Sequence, residues 1–368
     1  MKKTAISYPR RQVSFYLRFC SIAAILGLLP SCDNDPLDIV GPDISASNGV
    51  FIINEGNFNQ DNATLSYYDY SSEKLFNQVF FAANEVPLGD VAQSMTIYNN
   101  KAYIVLNNSG KIYIIDPAEM MYIDKISGLT APRYIQFVDE RKAYITDMYS
   151  KSIYVYDAVQ QEITREINVN NNGSFNQHST EQMVVMGDFV FVTCWSYDNK
   201  VLVIDITTDL LVDSIEVGKQ PNSIQMDQNN KIWVLSDGGF TGSAFGQELA
   251  SLSRIDPYSR EVEAEFQFRD MNSSPTNLYL NGSLDTLYYI DGGVYQMSVL
   301  ENSLPENPII KANDHTYYSM AVDPERNIIY LGDAVDYQQN GWVYRFTPSG
   351  EAIDSFRVGI IPGYFCFW

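Results

Sequence analysis

One short pattern recurs along the chain and limits what it can fold into. A strand of the type Lys-Ala-Tyr-Ile runs into a polar loop and then into a second apolar strand that ends on aspartate. Lys101–Ile104 leads to Ile112–Asp116, Lys142–Ile145 to Ile153–Asp157, Phe189–Val192 to Val201–Asp205, and Ile232–Leu235 to Leu252–Asp256. Val50–Ile53 leading to Leu65–Asp69 is the first copy, and two weaker copies open at Leu287 and Ile328. The closing aspartates 69, 116, 157, 205 and 256 are spaced by 47, 41, 48 and 51 residues. That is the length of a four-stranded propeller blade, about 40–50 residues. The segments between strands are rich in Asn, Gly, Asp and Ser, and no convincing amphipathic helix is visible after residue 49. The expected fold is all-β, a seven-bladed β-propeller over residues 49–368.

A second marker sets the phase. Val217–Ile224 carries Pro221 where one blade's outer strand gives way to the next blade's inner strand, and Pro132, Pro275 and Pro362 sit at the same phase. The run Gly363–Trp368, Gly-Tyr-Phe-Cys-Phe-Trp, therefore reads as an innermost strand, the one the first copy lacks. An aromatic chain end left in water is an aggregation hazard. The expectation is that this strand completes blade one and closes the ring.

Residues 1–31 have the layout of a lipoprotein signal peptide. Five bases and no acids precede Cys32, and the apolar run Phe19–Leu29 is too short for a membrane span. Leu29-Pro30-Ser31-Cys32 resembles a bacterial lipobox, which implies cleavage before Cys32 and lipidation of its thiol. Residues 32–48 then read as an acylated cysteine and a flexible tether. All 45 acids but only 19 of the 24 bases lie beyond Cys32, a balance of −26. Such a surface repels polyanions, so nucleic acid is excluded as a partner. Cys194 and Cys366, each in an apolar run, read as buried free thiols, with a disulfide left open.

Two sets of loops face one end of a propeller, and they carry the candidate site. The loops between second and third strands are long and aromatic. They supply Tyr149, Trp195, Tyr197, Phe240 and Tyr337. The connections into the inner strands supply Arg133, Glu181 and Asn222, with Gln182, Tyr317 and Tyr318 beside them. Aromatic faces and amides suit a large flat ligand rich in hydrogen-bonding groups, although propellers also use aromatics to pack blade on blade. Signals for catalysis are poor. His178 and His315 are the only histidines, and neither has a His or Cys nearby at ligand spacing, so no metal centre is expected. There is no nucleophile elbow, phosphate-binding glycine loop or Asp-x-Asp-x-Asp-Gly calcium loop. No pair of carboxylates stands out for glycosidase chemistry. An enzyme is not expected, and neither is a resident cofactor.

Asn54-Glu55-Gly56-Asn57-Phe58, Ser179–Met183, Cys194–Lys200, Asp336–Gln339 and Val358–Gly363 resemble the surface-exposed cobalamin-binding propeller lipoproteins of the Bacteroidetes, the BtuG type. More broadly the blades are similar to the YncE-like and YVTN propellers. The resemblance covers residues 50–368. It implies an outer-membrane lipoprotein that captures cobalamin and passes it to a TonB-dependent barrel of the BtuB type. Asp33-Asn34-Asp35 fits either inner-membrane retention or surface export, and the resemblance favours the surface. The alternatives are an adhesion or glycan-binding propeller, and a propeller glycosidase or lyase.

Overall fold

The structure is a computed structural model that describes Leu37, Ile39 and residues 48–170 and 178–368. The expected signal peptide, the expected lipidation residue Cys32 and nearly all of the expected tether lie outside the described residues. Leu37–Trp368 forms one compact unit. Within it lie seven four-stranded antiparallel sheets, six of them built from four consecutive strands. The seven innermost strands start at Ala92, Pro132, Thr180, Pro221, Thr276, Tyr317 and Pro362. Each lies against the next, and the last against the first, so the sheets form a closed ring of blades.

The seventh sheet is the exception in chain order. Its strands are Pro362–Phe367, Gly49–Asn54, Thr64–Asp69 and Lys74–Phe76, from the inside out. The C-terminal strand pairs antiparallel with the first, Val50 opposite Phe367 and Ile52 opposite Phe365. Gly49 and Trp368 exchange backbone hydrogen bonds of 3.1 and 2.9 Å. The expected closure is therefore observed, and it explains the aromatic run. Side chains alternate along a strand, and this one is wedged between two cores. Tyr364, Cys366 and Trp368 pack into the core between blades one and two, while Phe365 and Phe367 pack into the core shared with blade seven. Trp368 lies 5.9 Å from the Phe51 ring, and Tyr330 lies 5.8 Å from Phe365.

The closing aspartates cap turns. Asp157 Oδ1 accepts the N–H groups of Val159 and Gln160 at 2.9 and 2.8 Å, and Asp256 Oδ1 those of Tyr258 and Ser259. Asp69, Asp116 and Asp205 do the same at their own hairpins. The weaker blades use a hydroxyl instead, Ser298 in blade six and Thr347 in blade seven. The recurring residue is thus a turn former. One short helix, Val79–Asn84, was not anticipated. It is too brief to show a helical period and is held by the burial of Val79 and Phe80 and by Asn84 bonding the Phe80 and Met120 carbonyls at 2.8 Å. The two cysteines among the described residues are free thiols, Cys194 buried and Cys366 partly buried.

Because the last strand supplies backbone partners as well as core, a chain ending at Pro362 is expected to lose its cooperative thermal transition. Phe365→Ala, at a site only 3% exposed, is expected to cost about 3–5 kcal/mol in urea unfolding. A soluble truncated chain with an undiminished melting transition would refute the closure.

Candidate functional site

Every blade carries the same irregularity at the start of its innermost strand. The register slips after the first residue, so that the following one falls out of the ladder, joined in blades three, four and six by the residue after it. Such a bulge re-aims a side chain. The residues released are Gly363, Gln93, Arg133, Glu181, Asn222, Asn277 and Tyr318, one per blade around the channel mouth. Arg133, Glu181 and Asn222 therefore sit on the innermost strands themselves rather than in the connections leading to them.

These side chains are linked to one another. Arg133 forms a two-pronged ion pair with Glu181, both bonds 2.7 Å, and also donates to Gln93. Burial works against the Arg133 charge, but the Glu181 carboxylate outweighs it and holds the guanidinium pKa above its usual range. Blade one offers only Gly363, and Glu55 fills the gap. A Cβ on Gly363 would lie 2.3 Å from Glu55 Oε1, so a larger residue there would displace that side chain. Tyr318 donates to Glu55 at 3.1 Å. Burial pushes the Glu55 pKa up to about 7, against the opposing pull of Arg133 and the Tyr318 hydroxyl. Asn277 donates to the Tyr318 carbonyl at 3.1 Å, and Asn222 to that of Pro275 at 2.8 Å.

Tyr134, Tyr279, Tyr364 and Gln182 line a cavity of about 170 Å³, under the roughly 300–1,000 Å³ of ordinary small-ligand pockets. Gln182 donates to the Tyr134 hydroxyl at 3.3 Å, and its carbonyl oxygen accepts from Ile224 N–H at 3.2 Å. The mouth is thus ringed by mainly polar side chains bonded to one another.

The expected aromatics divide into floor, wall and rim. Trp195 stands over the floor, with the Arg133 guanidinium 5.7 Å from its ring and its Nε1 donating to Asp237 at 3.1 Å. Burial raises the Asp237 pKa. Tyr337 meets Tyr318 edge to face at 5.8 Å. Tyr197 packs 4.5 Å from Phe245 and 6.4 Å from Phe240, a separate patch on the loops of blades four and five. Tyr149 is 61% exposed on the blade-three loop. The fold thus gathers Arg133, Glu181, Trp195, Asn222 and, through Tyr318, Tyr337, and leaves Tyr197, Phe240 and Tyr149 on the rim. Glu55, Gln93, Asn277 and Asp237 were not singled out from the sequence. Counting one residue past the first of each innermost strand would have found Gln93 and Asn277; Glu55 has no such phase.

The fold also brings together what sequence spacing kept apart. His178 lies beside Cys194 and Asp198, one donor atom of each falling within 4.8 Å of the others.

A family model for a domain of unknown function, DUF5074, matches residues 48–365. The chain belongs to the DUF5074 family. This DUF5074 chain is 29% identical over 111 residues to Antigen Lp49 of Leptospira interrogans, a stretch covering 27% of the chain and 23% of the antigen. Among solved structures it resembles a quinonprotein alcohol dehydrogenase-like protein from Bacteroides thetaiotaomicron, with TM-score 0.67, 14% identity, and 87% of this chain and 78% of that one covered. Hydrazine synthase of Kuenenia stuttgartiensis follows, with TM-score 0.57, 15% identity, and 74% and 88% covered. At such identities these structures share the fold with DUF5074 and nothing finer.

The raised Glu55 pKa has a consequence for stability. An acid whose pKa rises on folding favours the fold while protonated in both states, below about pH 4.5. It opposes the fold increasingly as pH climbs toward 7. The wild type is expected to lose about 3 kcal/mol across that window relative to Glu55→Gln. Paired urea titrations at pH 4.5 and 8 check this, and parallel pH profiles would contradict it.

Proposed function

We propose that the protein is a surface lipoprotein that captures cobalamin and hands it to a TonB-dependent outer-membrane barrel of the BtuB type. It acts as a binding protein rather than an enzyme. The observation that carries the reading is the ring of linked side chains at the mouth. Its floor is made of amides, a phenol and an internally neutralised Arg133–Glu181 pair, and exposed aromatics stand around it. With Glu55 largely protonated below neutrality, the floor has little net charge in a chain that carries a large negative one. A broad ligand with amide arms and no large charge suits such a surface, whereas a polyanion does not. Cobalamin is too large for the cavity of about 170 Å³, so it would lie across the mouth, under Trp195 and Tyr337. The floor side chains are already bonded to one another, so little ordering would accompany binding, which favours affinity. The barrel would take the ligand from the open side of the mouth, with the lipid on Cys32 holding the propeller at the membrane.

The similarity to a Leptospira antigen favours a surface location, which an adhesion or glycan-binding propeller would share. The two readings separate by experiment. The chain from residue 33 onward, mixed with excess cyanocobalamin and desalted, is expected to carry stoichiometric corrin colour. Trp195→Ala and Tyr337→Ala are expected to weaken binding by roughly tenfold or more, as buried aromatic anchors do, with unchanged melting curves. A colourless but folded wild type would end the cobalamin reading and leave the adhesion one.

A further inference from the structure

Blades three, four and seven share a contact at the mouth end of the second strand. There the first residue of the innermost strand faces the last residue of its neighbour. Pro132 faces Asp147, Tyr317 faces Asp333 and Thr180 faces Cys194. In two of these blades the facing residue is an aspartate that gathers the backbone N–H groups of the incoming connection, Thr130 and Ala131 on Asp147 and Thr316 on Asp333. Asp333 also holds His315, with Nδ1 2.9 Å from Oδ2. His178 stands two residues before its innermost strand, the same phase as His315. Opposite it the aspartate has become a thiol, and the carboxylate arrives from elsewhere. Asp198, in the loop 195–199, pairs with His178 Nδ1.

The result is an imidazole, a thiol and a carboxylate converging within 4.8 Å. A buried cysteine alone needs only apolar packing, whereas here the donor atoms of a His–Asp pair also lie within 4.8 Å of the thiol. Cys194 is fully buried, and burial, helped by the Asp198 charge, raises its thiol pKa well above the usual value. That makes it a poor nucleophile. A bound divalent cation reverses the situation, because a coordinated thiol is deprotonated outright. Nitrogen, sulfur and oxygen donors in a set of three match Zn²⁺, with a water as fourth ligand. His178 and Asp198 each retain 13% side-chain exposure, which leaves a route for both.

We propose that His178, Cys194 and Asp198 form a zinc-binding site that ties the loop 195–199 to the start of blade four. The loop carries Trp195 and Tyr197, so the ion would fix two aromatics of the mouth. The inference is independent of which ligand the mouth holds.

Cobalt(II) is a suitable spectroscopic probe, since thiolate coordination gives a charge-transfer band that oxygen and nitrogen ligands do not. The chain from residue 33 contains two cysteines, Cys194 and Cys366. Stripped of metal and titrated with cobalt(II), it is expected to develop that band with one-to-one saturation and to lose it on addition of zinc. Cys366→Ser should retain the band, and Cys194→Ser should abolish it while keeping its metal-free melting transition. Asp198→Asn keeps the thiol and guards against a misfolded serine variant. It should weaken cobalt binding by at least the roughly tenfold that even an outer-shell partner contributes. No band from the folded wild type, a band that survives Cys194→Ser, or one lost in Cys366→Ser would each overturn the assignment.

Discussion

The ladder between Pro362–Phe367 and Gly49–Asn54 joins the two ends of the chain, and every other feature of the ring presupposes it. Without it the backbone groups of Val50–Asn54 would line the bare inner edge of a three-stranded sheet, facing the channel. Two cores would also lose a wall, since the same strand feeds side chains to both of its faces. Side chains reinforce the seam. Tyr68 stacks on Phe356 at 4.9 Å, the Tyr70 hydroxyl reaches Asp323 at 3.0 Å, and Arg326 reaches Asn48 at 2.9 Å. Ring closure leaves only the outer strands as edges. Glu261–Gln267 shows how these are blunted, with Glu261, Glu263 and Glu265 along it. Part of the acidity of the chain is edge protection.

The same repetition that builds the ring also builds the mouth. A bulge recurs at one phase in seven blades and presents six side chains and one glycine, and the backbone treats these positions alike. What distinguishes them is chemistry: glycine in blade one, a charge in blades three and four, amides in two, five and six, and a phenol in seven. The ring is thus a fixed frame on which single residues can vary without disturbing the cores, which lie between blades and away from the channel.

How much of this could be read in the sequence follows from the same distinction. Strands such as Ile112–Ile115 and Val201–Ile204 are short, apolar and evenly spaced, and their order dictates the fold. The prolines at 132, 221 and 362 mark the innermost strands, and so the closure. The aspartates at 157 and 256 were legible as markers, though their role as turn caps needed the hydrogen bonds. The site was only partly legible. Arg133, Glu181 and Asn222 stood out because they lie where the chain enters the inner strands, Arg133 and Asn222 directly after a proline. Glu55 did not, because it reaches the floor from a loop and occupies the space that a Cβ on residue 363 would enter. The grouping of His178 with Cys194 and Asp198 was hidden as well. It depends on an antiparallel register that places Thr180 opposite Cys194, a long-range pairing that local spacing cannot express.

Electrostatics connects the floor to the rest of the molecule. An unpaired cation at the mouth of so acidic a propeller would attract anions, and an unpaired carboxylate would repel them. Arg133 is instead held on both prongs by Glu181 and shared with Gln93. It is unavailable as a point charge and serves as a rigid, planar part of the floor under Trp195. Glu55 reaches the same end by another route, because burial favours its neutral form. The low charge of the floor below neutrality is therefore not a lack of ionisable groups. It results from Arg133 being matched by Glu181 and from burial favouring the neutral form of Glu55.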